Sequence, residues 1–313
     1  MSTESTSRTP IIKLHDETIK NLYVKREDFI PYSFGGNKAR KAYGFFKEID
    51  SGDYDTVVTY GSSHSNHCRV VANMAAGRGM PCLIIGPEEV SDNTYNSKMM
   101  ELFGAEIINV PVSKVHDTIE KTLSDLRNMG KKPYFIQGGG HGDIGTQAYV
   151  DCYEEIKAFE ESDNKYFDYI FFASGTGTTQ AGLVCGQILS GDDREIVGIS
   201  IARKNPRGRD VVLESITDYL DHKGVTYNRE DVEKRTIFLD DYTADGYGSG
   251  NKCIMDTISN QLVINGMPLD STYTGKAFYG MKEYVKSHNL SDKTILFIHT
   301  GGTPLFFDDL ENL

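Results

Sequence analysis

The chain has 313 residues, and its 33 basic and 45 acidic side chains give a formal net charge of −12. A hydrophobic content of 39% and a charged content of 25% are ordinary for a folded globular protein. The length allows one large α/β domain or two smaller ones. The sequence shows no basic stripe and no helix-turn-helix pattern, which argues against nucleic acid as a partner. No apolar run is long enough to cross a membrane, so no membrane partner is expected.

The cysteines and histidines do not form a metal or disulfide pattern. The five cysteines are scattered, without a C-x-x-C pair, at positions 68, 82, 152, 185 and 253. The histidines at 64, 67, 141 and 299 lack a carboxylate or cysteine at ligand spacing, so no metal is predicted. The first ten residues are polar and do not resemble a signal peptide. We therefore expect a cytoplasmic protein with reduced cysteines.

The first segment that indicates a reactive site is Gly-Gly-Asn-Lys at 35–38, which continues into Ala39, Arg40 and Lys41. Two glycines allow the backbone to approach a ligand closely. If Lys38 is desolvated beside the charges of Arg40 and Lys41, its pKa falls. Its amine then becomes nucleophilic enough to form a Schiff base. A solvated basic turn before a helix is the alternative that this segment alone leaves open.

From residue 54 onward, strand-like runs alternate with helix-like runs. The predicted strands are 55–60, 82–85, 106–110 and 134–136, and the predicted helices are 70–77, 97–103, about 113–129 and 145–159. This alternation predicts a small parallel sheet with helices on both faces. The charged stretch 160–165 is expected to return the chain to another domain.

The turn at 60–67 follows the first of these strands and holds three serines, two histidines and an asparagine. Ser65 or Asn66 could simply cap the following helix. The excess of hydroxyl, imidazole and amide groups nevertheless suits a carboxylate or a ring oxygen of a ligand. A serine hydrolase is disfavoured, because the sequence has no G-x-S-x-G element.

Residues 168–183 read as a strand, a glycine-rich turn and the start of a helix. Free N–H groups and the positive end of the helix dipole converge there, and threonine hydroxyls add donors, so the turn favours a phosphate monoester. Gly175 and Gly177 also begin a dinucleotide fingerprint, but Gln180 occupies the third glycine position. Glu195 lies near the offset of a ribose-binding acid, in a charged turn typical of a loop surface. A plain tight turn also remains possible.

A second parallel sheet is predicted from strands at 169–172, 196–201, 236–239 and 294–298. Helices are predicted between them at about 179–189, 209–222, 252–265 and 275–287. The lysine segment precedes the first series and the phosphate turn lies in the second. We therefore predict a large domain of residues 1–44 and 161–313 with an inserted small domain of residues 45–160. The ligand would lie in the cleft between them.

Six segments in this order resemble the D-cysteine desulfhydrase and 1-aminocyclopropane-1-carboxylate deaminase family of fold-type II pyridoxal-phosphate enzymes. The resemblance covers nearly the whole chain and rests on residues 24–28 with 35–41, and on 65–67, 174–183, 245–248, 273–276 and 299–304. It implies two parallel-sheet α/β domains of the tryptophan-synthase-β type, with pyridoxal 5'-phosphate in the cleft between them. It also implies a homodimer.

The resemblance assigns roles to individual positions. Lys38 would be the Schiff-base lysine, and Asn66 would contact the ring oxygen of the cofactor. The phosphate would be held by Gly175, Thr176, Gly177, Thr178 and Thr179. Ser65, Asn66 and His67 would bind the carboxylate of the substrate, and Tyr247 and Tyr273 would flank the substrate. The implied catalytic residues are thus Lys38, Ser65, Tyr247 and Tyr273, and Thr274 would face the pyridine nitrogen.

Thr274 says most about the reaction, because a hydroxyl donor at the pyridine nitrogen leaves the ring neutral. The deaminase branch carries glutamate there, whereas Thr274 and His67 look like the desulfhydrase branch. The resemblance therefore implies α,β-elimination from a small amino acid, first of all D-cysteine, to pyruvate, ammonia and hydrogen sulfide. A deaminase, a cysteate sulfo-lyase or a specialised biosynthetic lyase remains open. From other classes, so do a nucleotide-dependent oxidoreductase and a catalytically silent binding protein.

Three segments depart from the pattern of the family. They are residues 29–34, His64 and residues 138–143. These departures bear on the substrate pocket, so the family is better supported than D-cysteine itself.

Overall fold

The computed structural model describes residues 8–313. The chain forms two sheets, each with helices on both faces. The ten strands of this described part are β1 (Ile11–Lys13), β2 (Asn21–Arg26), β3 (Thr56–Tyr60), β4 (Cys82–Pro87), β5 (Glu106–Val110), β6 (Pro133–Ile136), β7 (Tyr169–Ser174), β8 (Glu195–Ser200), β9 (Ile237–Leu239) and β10 (Thr294–His299). Its eleven α-helices are α1 (Asn37–Ser51), α2 (Asn66–Ala76), α3 (Tyr95–Leu102), α4 (Val115–Asn128), α5 (Asp143–Asp163), α6 (Thr178–Ser190), α7 (Arg207–His222), α8 (Arg229–Arg235), α9 (Lys252–Asn265), α10 (Thr274–Ser287) and α11 (Thr303–Asp309).

The four-stranded sheet has the order β5-β4-β3-β6, and all its strands are parallel. The six-stranded sheet has the order β1-β2-β10-β7-β8-β9, parallel except for β1, which pairs antiparallel with β2. The predicted α/β class with two parallel sheets is confirmed. We call the parts built on the two sheets the small lobe and the large lobe.

Both sheets are buried on both faces, which explains why their strands read as continuous apolar runs. Along β7, Ile170 and Phe172 enter one core cluster while Phe171 and Ala173 enter the cluster on the opposite face. The small lobe repeats this arrangement, with separate clusters on the α2 and α4 sides of its sheet.

Strands β1 and β2 and helices α1, α8 and α11 were given no predicted range. The reason is clearest at β2, whose apolar run is only three residues long before Lys25 and Arg26. Both charges are nevertheless buried, because Lys25 pairs with Glu155 at 2.7 Å and Arg26 pairs with Asp28 at 2.6 Å. A strand that ends in buried, ion-paired residues leaves little hydrophobic pattern in the sequence.

The predicted domain limits at 44/45 and 160/161 stay a prediction. Helix α1 begins before the first limit, and its Phe45 and Phe46 pack into the small-lobe core. Helix α5 extends to Asp163, into the predicted return at 160–165, and packs into the large-lobe core. It contacts α6 so closely that a Cβ atom on Gly182 would lie 2.3 Å from the carbonyl oxygen of Thr146. The two lobes are thus joined by packed helices.

Two further sequence-based expectations concern the membrane and the cysteines. Among the helices of residues 8–313, none combines the length and the apolar character that a membrane span requires. Four of the five cysteines are buried free thiols, and Cys253 on α9 is exposed.

Candidate active site

A cleft between the lobes brings together segments that are distant in sequence. Its lining residues are Asn37, Lys38, Asn66, Ala173, Gly175, Tyr273, Thr300 and Gly301. Four of them, Lys38, Asn66, Gly175 and Tyr273, are sequence-predicted site residues. Asn37, Ala173, Thr300 and Gly301 were not predicted individually, although the turn at 299–304 was part of the resemblance. The cleft lies at the carboxyl ends of the parallel strands, where α/β proteins bind ligands.

The segment that leads to Lys38 has an uncommon backbone. Residues 32–36 all have positive φ, and the first three of them are not glycine. A Cβ atom on Gly36 would lie 2.6 Å from the carbonyl oxygen of Thr300, so glycine is required for this close approach. The N–H of Asn37 donates to the same oxygen at 3.0 Å. The departure from the family pattern at 29–34 therefore coincides with the start of this left-handed run.

Lys38 lies in the first turn of α1, and its Nζ donates to the carbonyl oxygen of Gly139 at 3.1 Å. Burial, together with the nearby charge of Arg203, lowers the pKa of Lys38 to about 8. The expected contribution of Arg40 was wrong. The Arg40 guanidinium turns away from the cleft and pairs with Glu27 at 2.5 Å and Glu155 at 2.8 Å.

Lys41 contacts the predicted phosphate turn. Its Nζ donates to Thr178 Oγ1 at 2.7 Å. Burial and the charge of Lys38 lower the pKa of Lys41 well below its ordinary value. No carboxylate lies within ion-pair distance of either lysine among residues 8–313. The cleft therefore lies beside cations that have no anionic partner in the described part of the chain.

The predicted phosphate turn joins β7 to α6. Helix α6 begins at Thr178, and its N-cap residue Gly177 provides no side-chain cap, so the first N–H groups are free to bind an anion. Thr179 Oγ1 accepts a hydrogen bond from Asn37 Nδ2 at 3.1 Å. Thr176 packs against Gly139, where an added Cβ atom would lie 2.5 Å from Thr176 Cγ2. Both lobes therefore contribute to the surroundings of this turn.

The same region argues against a dinucleotide. Gln180 is fully buried, accepts from Ser174 Oγ at 2.9 Å and donates to the carbonyl oxygen of Ile237 at 2.7 Å. Its side chain thus links the strands of the large sheet. Glu195 is exposed at the amino end of β8, whereas the cleft lies at the carboxyl ends.

The predicted carboxylate-binding residues surround the start of α2. Ser65 is the N-cap, and its Oγ accepts from the N–H of Cys68 at 3.1 Å. Asn66 lines the cleft, and its Nδ2 has no hydrogen-bond partner among residues 8–313. The side chain of His67 lies elsewhere. It is 2% exposed, and its Nε2 lies 2.9 Å from Thr59 Oγ1.

The partners of Thr59 define the state of His67. Thr59 donates to the carbonyl oxygen of Ile136 at 2.8 Å, so it accepts from Nε2–H of the imidazole. Burial and the charges of Lys38 and Lys41 lower the pKa of His67 well below its ordinary value. A neutral, buried imidazole is unsuited to bind the carboxylate of a substrate.

Tyr247 and Tyr273 lie next to each other, and that they flank the substrate stays a prediction. Their hydroxyl groups are hydrogen-bonded to each other, and their ring centroids are 5.8 Å apart in an edge-to-face arrangement. Burial raises the pKa of both phenols. The His64 ring packs edge-on against Tyr247 at 6.1 Å, so the departure at position 64 adjoins this tyrosine pair.

Thr274 is fully buried, and it is not among the lining residues of the cleft. Its hydroxyl donates to Asp270 Oδ2 at 2.7 Å and accepts from the N–H of Asp270 at 2.9 Å. Burial raises the pKa of Asp270 to about 6. The geometry does not meet the expectation that Thr274 donates to a pyridine nitrogen, because its single proton is given to Asp270. Thr300 lines the cleft instead.

The fold and this cleft define a class: a two-lobed α/β protein with an unpaired, low-pKa lysine and a free helix N-terminus beside it. Residues 3–301 match the family described as "Pyridoxal-phosphate dependent enzyme". The chain belongs to that family, and its cofactor is pyridoxal phosphate.

Individual relatives refine this assignment. A D-cysteine desulfhydrase of Yersinia enterocolitica is 32% identical over 96% of this chain and 92% of its own length. A putative 1-aminocyclopropane-1-carboxylate deaminase of Pyrococcus abyssi is 31% identical over 92% and 86%.

Among solved structures, an ACC deaminase homologue matches with a TM-score of 0.87 and 30% identity, covering 98% of this chain and 93% of its own. A hydrogen sulfide-producing enzyme of Fusobacterium nucleatum, with a TM-score of 0.65 and 18% identity over 96% and 97%, shows the shared fold alone.

Proposed function

We propose that the protein is a lyase that converts D-cysteine and water to pyruvate, ammonia and hydrogen sulfide by α,β-elimination. The observation that carries this proposal is Lys38, a partly buried amine with a pKa near 8, in a cleft that it shares with Asn66 and Tyr273. An amine with this pKa is partly neutral near pH 8 and can act as nucleophile and base. The D-cysteine desulfhydrase relative, which matches over nearly its full length, supports the substrate.

The residues of the cleft fit pyridoxal phosphate. Lys38 supplies the amine, and the free Nδ2 of Asn66 supplies a donor for the ring oxygen. The uncapped start of α6 with Gly175, Thr176, Gly177, Thr178 and Thr179 supplies donors for the phosphate. Bound pyridoxal phosphate supplies an electron sink for the negative charge that develops at the α-carbon of the substrate.

The remaining residues would bind the substrate and move its proton. The N–H groups at the start of α2 and the Ser65 hydroxyl would bind its carboxylate. Lys38 would remove the α-proton. Tyr247 and Tyr273 have raised pKa values and would stay protonated. One hydroxyl donates to the other, and the remaining O–H would donate toward the departing sulfur.

The partner of the pyridine nitrogen is the part of the proposal that the geometry changes. Thr274 remains the residue that separates this chain from the glutamate-bearing deaminase branch. Its proton, however, is engaged by Asp270. Thr300 is the threonine that lines the cleft. We also propose a homodimer in the cytoplasm, to be checked by light scattering and by localisation of the tagged protein.

A substrate panel tests the function. The purified protein with pyridoxal phosphate is given D-cysteine, L-cysteine, cysteate and 1-aminocyclopropane-1-carboxylate, and sulfide, sulfite, pyruvate and 2-oxobutyrate are measured. We expect sulfide and pyruvate in equal amounts from D-cysteine and no turnover by Lys38→Ala. 2-Oxobutyrate as the main product would establish the deaminase instead. Sulfite from cysteate would establish a sulfo-lyase, and a protein that binds the cofactor but turns over none of the four would overturn the proposal.

A further inference from the structure

Arg69 on α2 is a buried cation without an anion. Its side chain is fully buried, and no carboxylate lies within ion-pair distance among residues 8–313. Nε donates to the carbonyl oxygen and to Oγ of Ser33, both at 3.1 Å, while Nη2 is buried without a partner. Burial lowers the pKa of the guanidinium to about 9, which leaves it charged at neutral pH. A buried charge of this kind destabilises a fold unless it is paired with an anion.

The remaining nitrogen of Arg69 fixes two side-chain amides. Nη1 donates to Oδ1 of Asn66 at 2.5 Å and to Oδ1 of Asn96 at 2.6 Å. A guanidinium can only donate, so both of these amide atoms must be oxygens. Asn96 then presents its Nδ2 to Asn66 Oδ1 at 3.1 Å and to the carbonyl oxygen of His64 at 3.0 Å. The oxygen of Asn66 is therefore occupied by two donors.

The orientation of Asn66 follows from this network. With its oxygen held on the Arg69 side, the amide presents Nδ2, a donor without a hydrogen-bond partner among the described residues, at the cleft. Asn66 can therefore donate to a ligand acceptor there, but its oxygen is not free to accept from the ligand. The positive charge of Arg69, which contacts the amide oxygen of Asn66, further favours an anionic acceptor. The only anionic group of pyridoxal phosphate expected at Asn66 is its ring oxygen.

We propose that Arg69 is a positioning residue that acts on the ring oxygen of pyridoxal phosphate through Asn66, by fixing the amide and by stabilising negative charge on that oxygen. The inference rests on the placement of the cofactor ring proposed above. Through Ser33 the same guanidinium also holds the left-handed run that leads to Lys38. Arg69 thereby links the segment before Lys38 to Asn66.

The test compares two cofactors. The apoprotein, Arg69→Met and the control Arg78→Met are titrated by equilibrium dialysis with pyridoxal 5'-phosphate and with its 3-deoxy analogue, which lacks the ring oxygen. Arg78 follows the same helix, but its guanidinium pairs with the carboxylate of Asp50 at 2.7 Å. We expect Arg69→Met to weaken pyridoxal phosphate by about tenfold or more, as for a lost hydrogen bond to a charged group. Its effect on the 3-deoxy analogue should be much smaller, and Arg78→Met should change neither affinity.

Equal weakening of both cofactors by Arg69→Met would show a merely structural role and overturn the proposal, as would no weakening at all. If Arg69→Met does not fold, Arg69→Lys gives the same comparison. An ammonium keeps the charge but cannot reproduce the planar set of donors. Adding Asn66→Ala to either variant should cost little more, because both act on one oxygen. Failure of the parent to bind either cofactor would instead contradict the placement of the cofactor, so the two failures are distinct.

Discussion

Helix α1 carries two kinds of buried cation within four residues, and their surroundings differ. Arg40 faces Glu27 and Glu155, and the Arg40–Glu27 pair raises the pKa of the guanidinium and holds the pKa of Glu27 at about 2. Lys38 lines the cleft and Lys41 contacts Thr178 in the predicted phosphate turn. Neither has a carboxylate within ion-pair distance among residues 8–313, and burial lowers the pKa of both. The paired charge on one side of the helix stabilises the fold, whereas the unpaired charges on the other side are available to an anionic ligand.

The largest effect is expected on the unpaired side. Lys38→Ala should abolish the visible absorbance of the bound cofactor and lower turnover by about a thousandfold or more, because it removes both the attachment point and the base. Absorbance spectra and product assays measure this. Lys20→Ala, which removes an exposed lysine paired with Asp292, is the control. Retained turnover in Lys38→Ala would move the catalytic role away from this lysine.

The paired side should respond in stability rather than in chemistry. Glu27→Gln leaves the Arg40 charge poorly compensated and should destabilise the protein by about 3–5 kcal/mol in urea unfolding. The contribution of Glu27 is fully present above about pH 4.5, its ordinary value, and is lost as the pH falls through about 2. The acid-side stability curve should therefore be flatter in the variant.

Glu17→Gln is the control for this change, since Glu17 is exposed and forms no ion pair among residues 8–313. If Glu27→Gln and Glu17→Gln lose the same stability, the paired network does not stabilise the fold.

Lys41→Met should separate folding from binding. Removing an unpaired buried charge should leave the apoprotein as stable or more stable, while affinity for pyridoxal phosphate falls by about tenfold. The folded pKa of Lys41 lies below the unfolded value of 10.5, so the stability of the parent rises as the pH approaches 10.5. This rise should be smaller in the variant. Thermal unfolding at several pH values and cofactor titration measure both effects, and a variant that loses stability but keeps its affinity would contradict the comparison.

The smallest effect concerns the backbone that Lys38 contacts. Gly139 and Gly130 have similar φ values, +74° and +78°, but a Cβ atom meets Thr176 at Gly139 and nothing within 4 Å at Gly130. Both changes to alanine should lose about 1 kcal/mol for the left-handed conformation. Gly139→Ala should lose about 1 kcal/mol more from overpacking and should weaken cofactor binding. Equal losses in urea unfolding and unchanged affinity would show that Thr176 adjusts freely.

Much of the fold follows from local patterns. The strands and helices between residues 54 and 159 lie close to their predicted positions, because buried parallel strands and amphipathic helices each have a period that is visible in the sequence. β2 was missed because its apolar run ends at Lys25, whose burial depends on Glu155, a partner distant in sequence. Helix α5 was predicted shorter because its end is charged.

The site divides in a similar way. The sequence by itself determined the lysine after two glycines and the glycine-threonine turn after a strand, because these are local arrangements that bring chemical groups to the backbone. Only the tertiary structure decided which groups are free. It gave the Thr274 proton to Asp270, turned His67 toward Thr59 and placed Arg69 behind Asn66. The physical reason is that hydrogen bonding and ionisation depend on partners that the fold brings together from distant parts of the chain.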